Sequence, residues 1–327
     1  MANRPRTQVL QISLLLAGTC GLYLALFAHT AHRRTASVAV KKPNRHAGTV
    51  PTKAVATTRE FAVPVLMYHR ICDLTPKEAQ SELVRDLTVS PKDFEAQVKF
   101  LADNGFTFLL ARDVEDAVRN STPLPEKAVA ITMDDGYKDN FEQAYPILRK
   151  YSARATVFLV TNTVDTPGHL SWKDVGVMQD CKVGYGSHTV HHYELTDLTV
   201  PQMDYELRVS KSVIEDHLLE KISAVAYPSG KYNKTVTERA EAAGYTAGWK
   251  KGGGPVEPGR DLYLLPRIRV QGHTSLRDFQ RKVCSGIFIL ADRKSDGWDQ
   301  VKRRYAELFV PESTSGSGRF GVRINRG

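Results

Sequence analysis

The feature that most constrains the fold is a regular alternation of short apolar runs with longer amphipathic stretches, which begins at Val63. Runs of strand length rich in Val, Ile, Phe and Tyr predict strands at Val63–His69, Ala128–Met133, Ala155–Val160, Val183–His188 and Ser223–Pro228. Strands that alternate with helices are typical of a parallel sheet wrapped by helices, either doubly wound or barrel-like. In both architectures the chemistry gathers at the carboxyl ends of the strands.

The intervening stretches carry helix start and stop signals. Ser90 is an N-cap residue with Pro91 at the first helical position, and the apolar stripe of that helix runs to a stop at Gly105. Further helices are predicted at Asn140–Tyr151, Pro201–Leu219 and Thr235–Ala243.

An apolar segment near the N-terminus predicts a membrane anchor. No Asp, Glu, Lys or Arg occurs between Thr7 and His32, and Val9–Ala28 is long enough to cross a bilayer of roughly 30 Å as a helix. A poor small-x-small site after this segment favours an uncleaved signal anchor over a cleaved signal peptide. We therefore expect a tail at 1–8, an anchor at 9–28, a flexible basic stalk at 29–60, a folded domain at 61–290, and a C-terminal helix with a disordered tail at 291–327.

The net charge of +9 does not indicate nucleic-acid binding. Residues 1–60 hold nine Lys and Arg against a single acid, and residues 301–327 add six basic residues against two acids. The predicted body is therefore slightly acidic, which argues against a phosphate-binding groove. The four cysteines show no Cys-x-x-Cys spacing, so they predict neither a zinc ribbon nor a redox pair. Cys20 lies in the apolar N-terminal segment, and the other three are expected in the core, with one disulfide among them as the alternative if the domain is extracytoplasmic.

Two adjacent carboxylates, Asp134 and Asp135, follow the apolar strand Ala128–Met133 directly. Neighbouring side chains of a strand point to opposite faces, but Gly136 can adopt unusual dihedral angles and let both acids turn toward one pocket. Asp-Gly is also a common turn dipeptide, so an ordinary strand-ending turn is the alternative.

A histidine cluster follows another apolar strand. His188, His191 and His192 lie within five residues, and His188 with His192 has the i, i+4 spacing that brings two imidazoles to one ion. With one carboxylate of the Asp134/Asp135 pair they would form a two-His, one-Asp site that leaves positions open for water and substrate. A solvated polar loop is the alternative.

Together the two clusters resemble a known family. Thr-Met-Asp-Asp-Gly at 132–136 and Ser-His-Thr-Val-His-His at 187–192 are similar to the first two motifs of the NodB-homology polysaccharide deacetylases, which are metal-dependent carbohydrate esterases. The likeness runs from about Val63 to about Arg269. It extends to the branch that deacetylates poly-N-acetylglucosamine, through Pro64–Arg70 and Ala-Tyr-Pro-Ser-Gly at 226–230. The fold that this resemblance implies is α/β, a distorted (β/α) barrel with fewer than eight strands.

The resemblance also implies roles for individual residues. Asp134 would be the general base, and Asp135, His188 and His192 would ligate one divalent transition metal, most simply zinc. The third motif would supply an oxyanion-binding backbone N–H within the segment of Tyr227, Pro228, Ser229 and Gly230, where Pro228 would help to fix the loop. An ordinary Pro-Ser-Gly turn is the alternative for that segment.

The chain departs from the family pattern in three places. Ala226 stands where many members have an arginine that orients the catalytic Asp, and no acid of the fourth motif is evident around Gly244–Trp249. The histidine of the fifth motif is also missing from its region, Leu265–Arg269. His69, at the end of the first predicted strand, is the better candidate for the proton donor, and His273 is the other. For His69, a buried histidine hydrogen-bonded to the backbone is the alternative.

These features predict a membrane-anchored, extracytoplasmic hydrolase that removes N-acetyl groups from an N-acetylglucosamine polysaccharide and releases acetate. Its expected partners are the acetylated glycan and the membrane, and no nucleic acid; the sequence indicates no oligomeric state. A glycosyltransferase that uses Asp134 and Asp135 to hold a metal is one alternative. It gives His188 and His192 no function, because the hard ions used by such enzymes prefer oxygen ligands. A non-catalytic saccharide-binding wall protein of the same fold is the other.

Overall fold

The computed structural model describes residues 61–125 and 127–293, with side chains described as far as residue 284. Ten strands lie in this part of the chain: β1 Val65–Tyr68, β2 Arg70–Ile71, β3 Thr88–Val89, β4 Thr107–Leu109, β5 Ala128–Asp135, β6 Thr156–Leu159, β7 Gly184–Ser187, β8 Ala224–Ala226, β9 Ala247–Lys251 and β10 Leu265–Arg269.

Eight α-helices accompany these strands: α1 Glu82–Leu87, α2 Pro91–Asp103, α3 Ala111–Asn120, α4 Tyr145–Lys150, α5 Trp172–Asp180, α6 Val200–Leu218, α7 Lys234–Ala242 and α8 Leu276–Arg293. A π-helical turn at Asn140–Ala144 runs directly into α4. The Ser90 hydroxyl accepts a hydrogen bond from the Asp93 amide and Pro91 begins α2, so the predicted start of this helix is confirmed.

Seven of the strands close into a parallel barrel. The order β1-β10-β9-β8-β7-β6-β5 returns to β1, because β5 pairs with β6 on one side and with β1 on the other. β4 is not part of this closed ring. It pairs with residues 128–130 of β5, whereas β1 pairs with residues 130–133. The α/β barrel of fewer than eight strands expected from the sequence is thus confirmed.

The packing of small and large side chains keeps this barrel narrow. A Cβ on Gly186 of β7 would lie 2.4 Å from the ring of Phe158 on β6, so only glycine lets these strands approach. Phe158 and Trp249 fill one buried cluster together with the alanines of β5, β8 and β9. The apolar face of α3 packs into the same cluster, and a second cluster joins the sheet to the other helices.

The sequence placed α2, α4, α6 and α7 to within a few residues but did not predict α1, α3 or α5, and α8 begins at Leu276, ahead of the C-terminal helix expected from residue 291. It also missed the barrel strands β9 and β10 and the additional strand β4. No helix within residues 61–125 and 127–293 is long and apolar enough to cross a membrane. The predicted anchor at 9–28, the stalk at 29–60 and most of the C-terminal region lie outside the described residues. Cys284 is buried as expected and Cys72 is partly buried, whereas the core expectation was wrong for Cys181, which is exposed at the end of α5. These three described cysteines are free thiols.

Candidate active site

The two carboxylates predicted from the sequence lie at the carboxyl end of β5, at the mouth of the barrel. Asp135 has φ +73° and Gly136 has φ +68°, so two successive residues adopt the left-handed conformation where the strand ends. Such a conformation is uncommon for a residue other than glycine, although Asp adopts it more readily than most. It allows Asp134 and Asp135 to face the same histidine, whose Nε2 lies 3.9 Å from Asp134 Oδ2 and 3.6 Å from Asp135 Oδ1.

That histidine is His188, which follows β7 and is 2% exposed. Its Nδ1 lies 2.7 Å from the carbonyl oxygen of Ala226, so Nδ1 donates and the Nε2 lone pair is directed toward the carboxylates. His192 Nε2 lies 3.6 Å from Asp135 Oδ1. The ligand atoms of Asp135, His188 and His192 all lie within 4.8 Å of one another, which suits a common metal ion.

The protonation states of this group also suit a metal. Burial lowers the pKa of His188 and outweighs the opposing charges of Asp134 and Asp135. Burial likewise lowers the pKa of His192. Both imidazoles are therefore neutral at neutral pH, which is the form that ligates metals. A His/His/carboxylate donor set with borderline-soft nitrogen ligands fits zinc better than a hard cation.

Asp134 is held by an arginine that the sequence analysis did not identify. Arg267 of β10 forms a bidentate pair with it, Nη1 to Oδ1 at 2.6 Å and Nη2 to Oδ2 at 2.8 Å. Both residues are almost fully buried, and the guanidinium also lies over the ring of Phe158. Burial alone would raise the pKa of Asp134, but the charges of Arg267 and His188 and the Arg267 hydrogen bonds lower it to about 2. Asp134 is consequently ionised and fixed in orientation.

Arg267 resolves one departure from the family pattern. Ala226, at the position where an arginine was expected, contributes its backbone carbonyl to His188 instead. The orienting guanidinium comes from the neighbourhood where the fifth motif was sought, on a strand that lies beside β1 in the barrel.

The loop that carries the histidines is fixed by a buried glutamate of α6. Glu206 is 3% exposed, and its Oε2 accepts hydrogen bonds from the amides of Val190 and His191, both at 2.9 Å. Its Oε1 lies 2.7 Å from His191 Nδ1. This bond directs His191 away from the other two histidines.

His69 lies beside Asp134 across the β1–β5 ladder, since Tyr68 pairs with Met133. Burial lowers the pKa of His69 to about 4. The charge of Asp134 opposes this shift, whereas the charge of Arg267 adds to it. The other proton-donor candidate, His273, is largely exposed at the rim, with its Nδ1 3.8 Å from Asp86. The structure thus brings His69, and not His273, into the site.

The third-motif loop lies next to the histidine loop. Ser229 has φ +58° and Gly230 φ +72°, and a Cβ on Gly230 would meet the Lys251 side chain at 2.4 Å. Glu194, two residues after His192, pairs with Lys231 and interacts with Ser229. Tyr227 does not face the mouth, because its side chain is fully buried and its hydroxyl donates to the carbonyl of Tyr263 at 3.0 Å.

The segment of residues 161–170, which follows β6, crosses the turn that carries Asp134 and Asp135, and we call this segment the strap. The amide of Lys138 donates to the carbonyl of Gly168 and that of Leu170 to the carbonyl of Gly136, both at 2.9 Å. The rings of Tyr137 and His169 stack with centroids 5.3 Å apart, and both residues interact electrostatically with Asp135. The strap therefore fixes the turn that carries the two acids.

The functional groups that sequence reasoning missed are Arg267, Glu206, Tyr137 and His169. Arg267 and Glu206 carried a usable signal, because each is a charged residue directly beside a large apolar residue of its element, Ile268 and Leu207 respectively. Such charges must be paired. No local pattern identified their partners, which lie 133 and 15 residues away respectively.

Known proteins are similar to this chain in sequence and fold. Residues 121–248 match the family described as "Polysaccharide deacetylase". The Bacillus subtilis protein YxkH, named as a polysaccharide deacetylase, is 32% identical over 268 residues, covering 79% of this chain and 92% of its own. The poly-β-1,6-N-acetyl-D-glucosamine N-deacetylase of Staphylococcus aureus is 26% identical over 208 residues, covering 59% of this chain and 71% of its own.

A solved structure agrees with these matches. The Streptococcus pyogenes deacetylase PplD, solved in complex with acetate, is 30% identical and superposes with a TM-score of 0.64. The superposition covers 68% of this chain and 98% of PplD.

Proposed function

Because this chain belongs to the polysaccharide deacetylase family and is a hydrolase of that class, we propose that it removes N-acetyl groups from an N-acetylglucosamine polymer with the help of a zinc-like metal. The observation that carries this proposal is the convergence of Asp135, His188 and His192 beside the ionised Asp134. The glycosyltransferase and non-catalytic alternatives are not favoured by the relatives.

Asp135, His188 and His192 would hold the ion. Their donor atoms are close together, both imidazoles are neutral, and His188 is already oriented by its bond to Ala226. A metal bound there supplies Lewis acidity, which polarises an amide carbonyl and makes water more acidic.

Asp134 would take the proton of the attacking water, since its carboxylate lies beside the three ligands and is ionised at neutral pH. Arg267 fixes both oxygens of that carboxylate and keeps the catalytic geometry. The same pairing lowers the proton affinity of Asp134, so Arg267 maintains orientation at the expense of basicity.

The leaving amine must gain a proton, because expulsion of an amide anion is prohibitively costly. His69 is the group we propose for this transfer, since it lies next to Asp134. Its imidazole is neutral before the reaction, so it would first accept from Asp134 the proton taken from the attacking water and then donate that proton to the amine. The donor we propose for the developing oxyanion is the backbone N–H of Ser229, because Pro228 has no N–H and those of Tyr227 and Gly230 donate to the carbonyls of Trp249 and Tyr227.

The polymer that we propose is poly-β-1,6-N-acetylglucosamine, because the matched Staphylococcus aureus enzyme is named for it. We also propose that residues 9–28 anchor the protein in a membrane with its domain outside the cytoplasm, where such a glycan lies. Protease added to intact cells should then remove the domain. Protection of the domain until the cells are lysed would place it inside.

Two substitutions separate the proposed base from the proposed ligands. Asp134→Asn should keep one metal per chain and lower kcat by roughly 10²–10⁴-fold, the range expected for loss of a general base. Asp135→Asn should instead lose metal, and activity with it. Metal analysis of both purified variants is the test, and loss of metal from Asp134→Asn alone would reverse the two roles.

A further inference from the structure

Three aromatic rings beside the histidine loop form a surface that the proposed reaction does not use. The ring of His191 stacks on Tyr193 with centroids 5.3 Å apart and planes 18° apart, and on Tyr205 at 6.2 Å and 17°. Tyr193 and Tyr205 are 55% and 52% exposed. We call these three residues the tyrosine platform.

The position of the His191 ring within the platform is fixed by hydrogen bonds to Glu206. His191 Nδ1 is bonded to the buried Glu206, which also binds the amide of His191 and is the next residue after Tyr205 in α6. Single exposed aromatic residues are common on protein surfaces and require no explanation. Two exposed tyrosines whose rings each lie within 18° of the plane of one anchored imidazole are a more specific arrangement.

The platform is continuous with the proposed metal site. Tyr193 follows His192 directly in the chain. α6 follows β7 and its loop, so its first turns, which include Tyr205, lie at the same end of the barrel as the mouth. A substrate longer than the site would therefore extend over these rings.

We propose that the tyrosine platform is a subsite that binds sugar units next to the one being deacetylated. This inference rests on the proposed function, which supplies the polymer. Pyranose rings present a face of C–H groups that packs on aromatic faces, and N-acetylglucosamine is neutral, so it needs no charged partner there. Tyr193 and Tyr205 are thus substrate-binding residues that favour long chains over short ones.

The test compares a long and a short substrate on the full-length, metal-loaded protein. Tyr193→Ala and Tyr205→Ala should each raise KM for a β-1,6-linked N-acetylglucosamine pentamer by about 2- to 10-fold, as expected for a lost aromatic contact, with little change in kcat. Hydrolysis of 4-nitrophenyl acetate, which has no sugar, should stay at the wild-type rate. Tyr193→Phe and Tyr205→Phe keep the ring and should retain the wild-type KM, as should the surface control Val177→Ala.

Unchanged KM for the pentamer in the Tyr193→Ala, Tyr205→Ala double variant would overturn the subsite. Equal losses on pentamer and ester would also overturn it, because the tyrosines would then support the histidine loop instead of binding sugar. Failure of the wild type to release acetate from the pentamer would refute the proposed function instead. Calorimetric titration of the pentamer into wild type and double variant would then still decide the subsite.

Discussion

Replacing Arg267 with methionine leaves the buried carboxylate of Asp134 without its bidentate partner. Removal of one member of a buried ion pair costs about 3–5 kcal/mol, because the remaining charge stays desolvated. In the wild type the pKa of Asp134 is about 2, below its unfolded value. Its ionisation therefore contributes about 2–3 kcal/mol of stability that is present above about pH 4 and lost as the pH falls through about 2.

In Arg267→Met the pKa shift of Asp134 on folding should change sign. Burial, which opposes ionisation of Asp134, is no longer outweighed by the guanidinium, so the folded pKa rises above the unfolded one. The contribution of Asp134 to the free energy of unfolding is then greatest below its unfolded pKa and falls as the pH rises through its folded pKa. The loss relative to wild type should accordingly be larger at pH 7 than at pH 4, and the acid limb of kcat/KM should move to higher pH.

Denaturant unfolding at both pH values measures this difference. Arg239→Met is the matched control, since Arg239 Nε lies 2.6 Å from Asp204 Oδ1 in a similar bidentate pair whose side chains are 29% and 27% exposed. It should cost only about 0–1 kcal/mol. An equal loss at pH 4 and pH 7 for Arg267→Met would refute the proposed coupling between the two residues.

Three further substitutions test other contacts. His69→Ala should keep the fold and the metal but lose most amide hydrolysis, while an ester substrate, whose alcohol leaves more easily, should lose less; normal amide hydrolysis would exclude His69 as the donor. Glu206→Gln loses the charged partner of His191 and should weaken metal binding by about 10- to 100-fold in competition with a chelator, whereas unchanged affinity would show that the loop does not depend on that charge. Burial raises the pKa of Glu115 despite its bonds to Ser223 and Trp249, so its stabilising contribution is present below the unfolded pKa and lost as the pH rises through the folded one. Glu115→Gln should thus gain stability relative to wild type at pH 8 compared with pH 4, and a pH-independent difference would contradict this.

The barrel could be predicted from sequence to the extent that its strands are apolar. β5 reads as an unbroken apolar run because it is buried on both faces. β9 and β10 were missed because Ala247–Lys251 and Leu265–Arg269 contain lysine, arginine and proline, which argue locally against a strand. Their strand conformation follows from closure of the ring, and closure depends on pairing between distant segments.

The candidate site, like the barrel, could be predicted from the sequence only in part. Asp134, Asp135, His188 and His192 are clustered in sequence, and the structure brings them together. Arg267 lies 133 residues from its partner, and only the closed barrel places β10 where its side chain reaches the end of β5. The family pattern places the arginine that orients the catalytic Asp at position 226, which is alanine here. The guanidinium that pairs with Asp134 comes from Arg267 instead.

Acetate release from poly-β-1,6-N-acetylglucosamine by the full-length protein tests the central claim most directly. The purified protein should release acetate, lose this activity when a chelator removes the metal, and regain it when zinc is restored. His188→Ala should release none under any of these conditions. Release that persists in the metal-free protein, or in His188→Ala, would contradict the account.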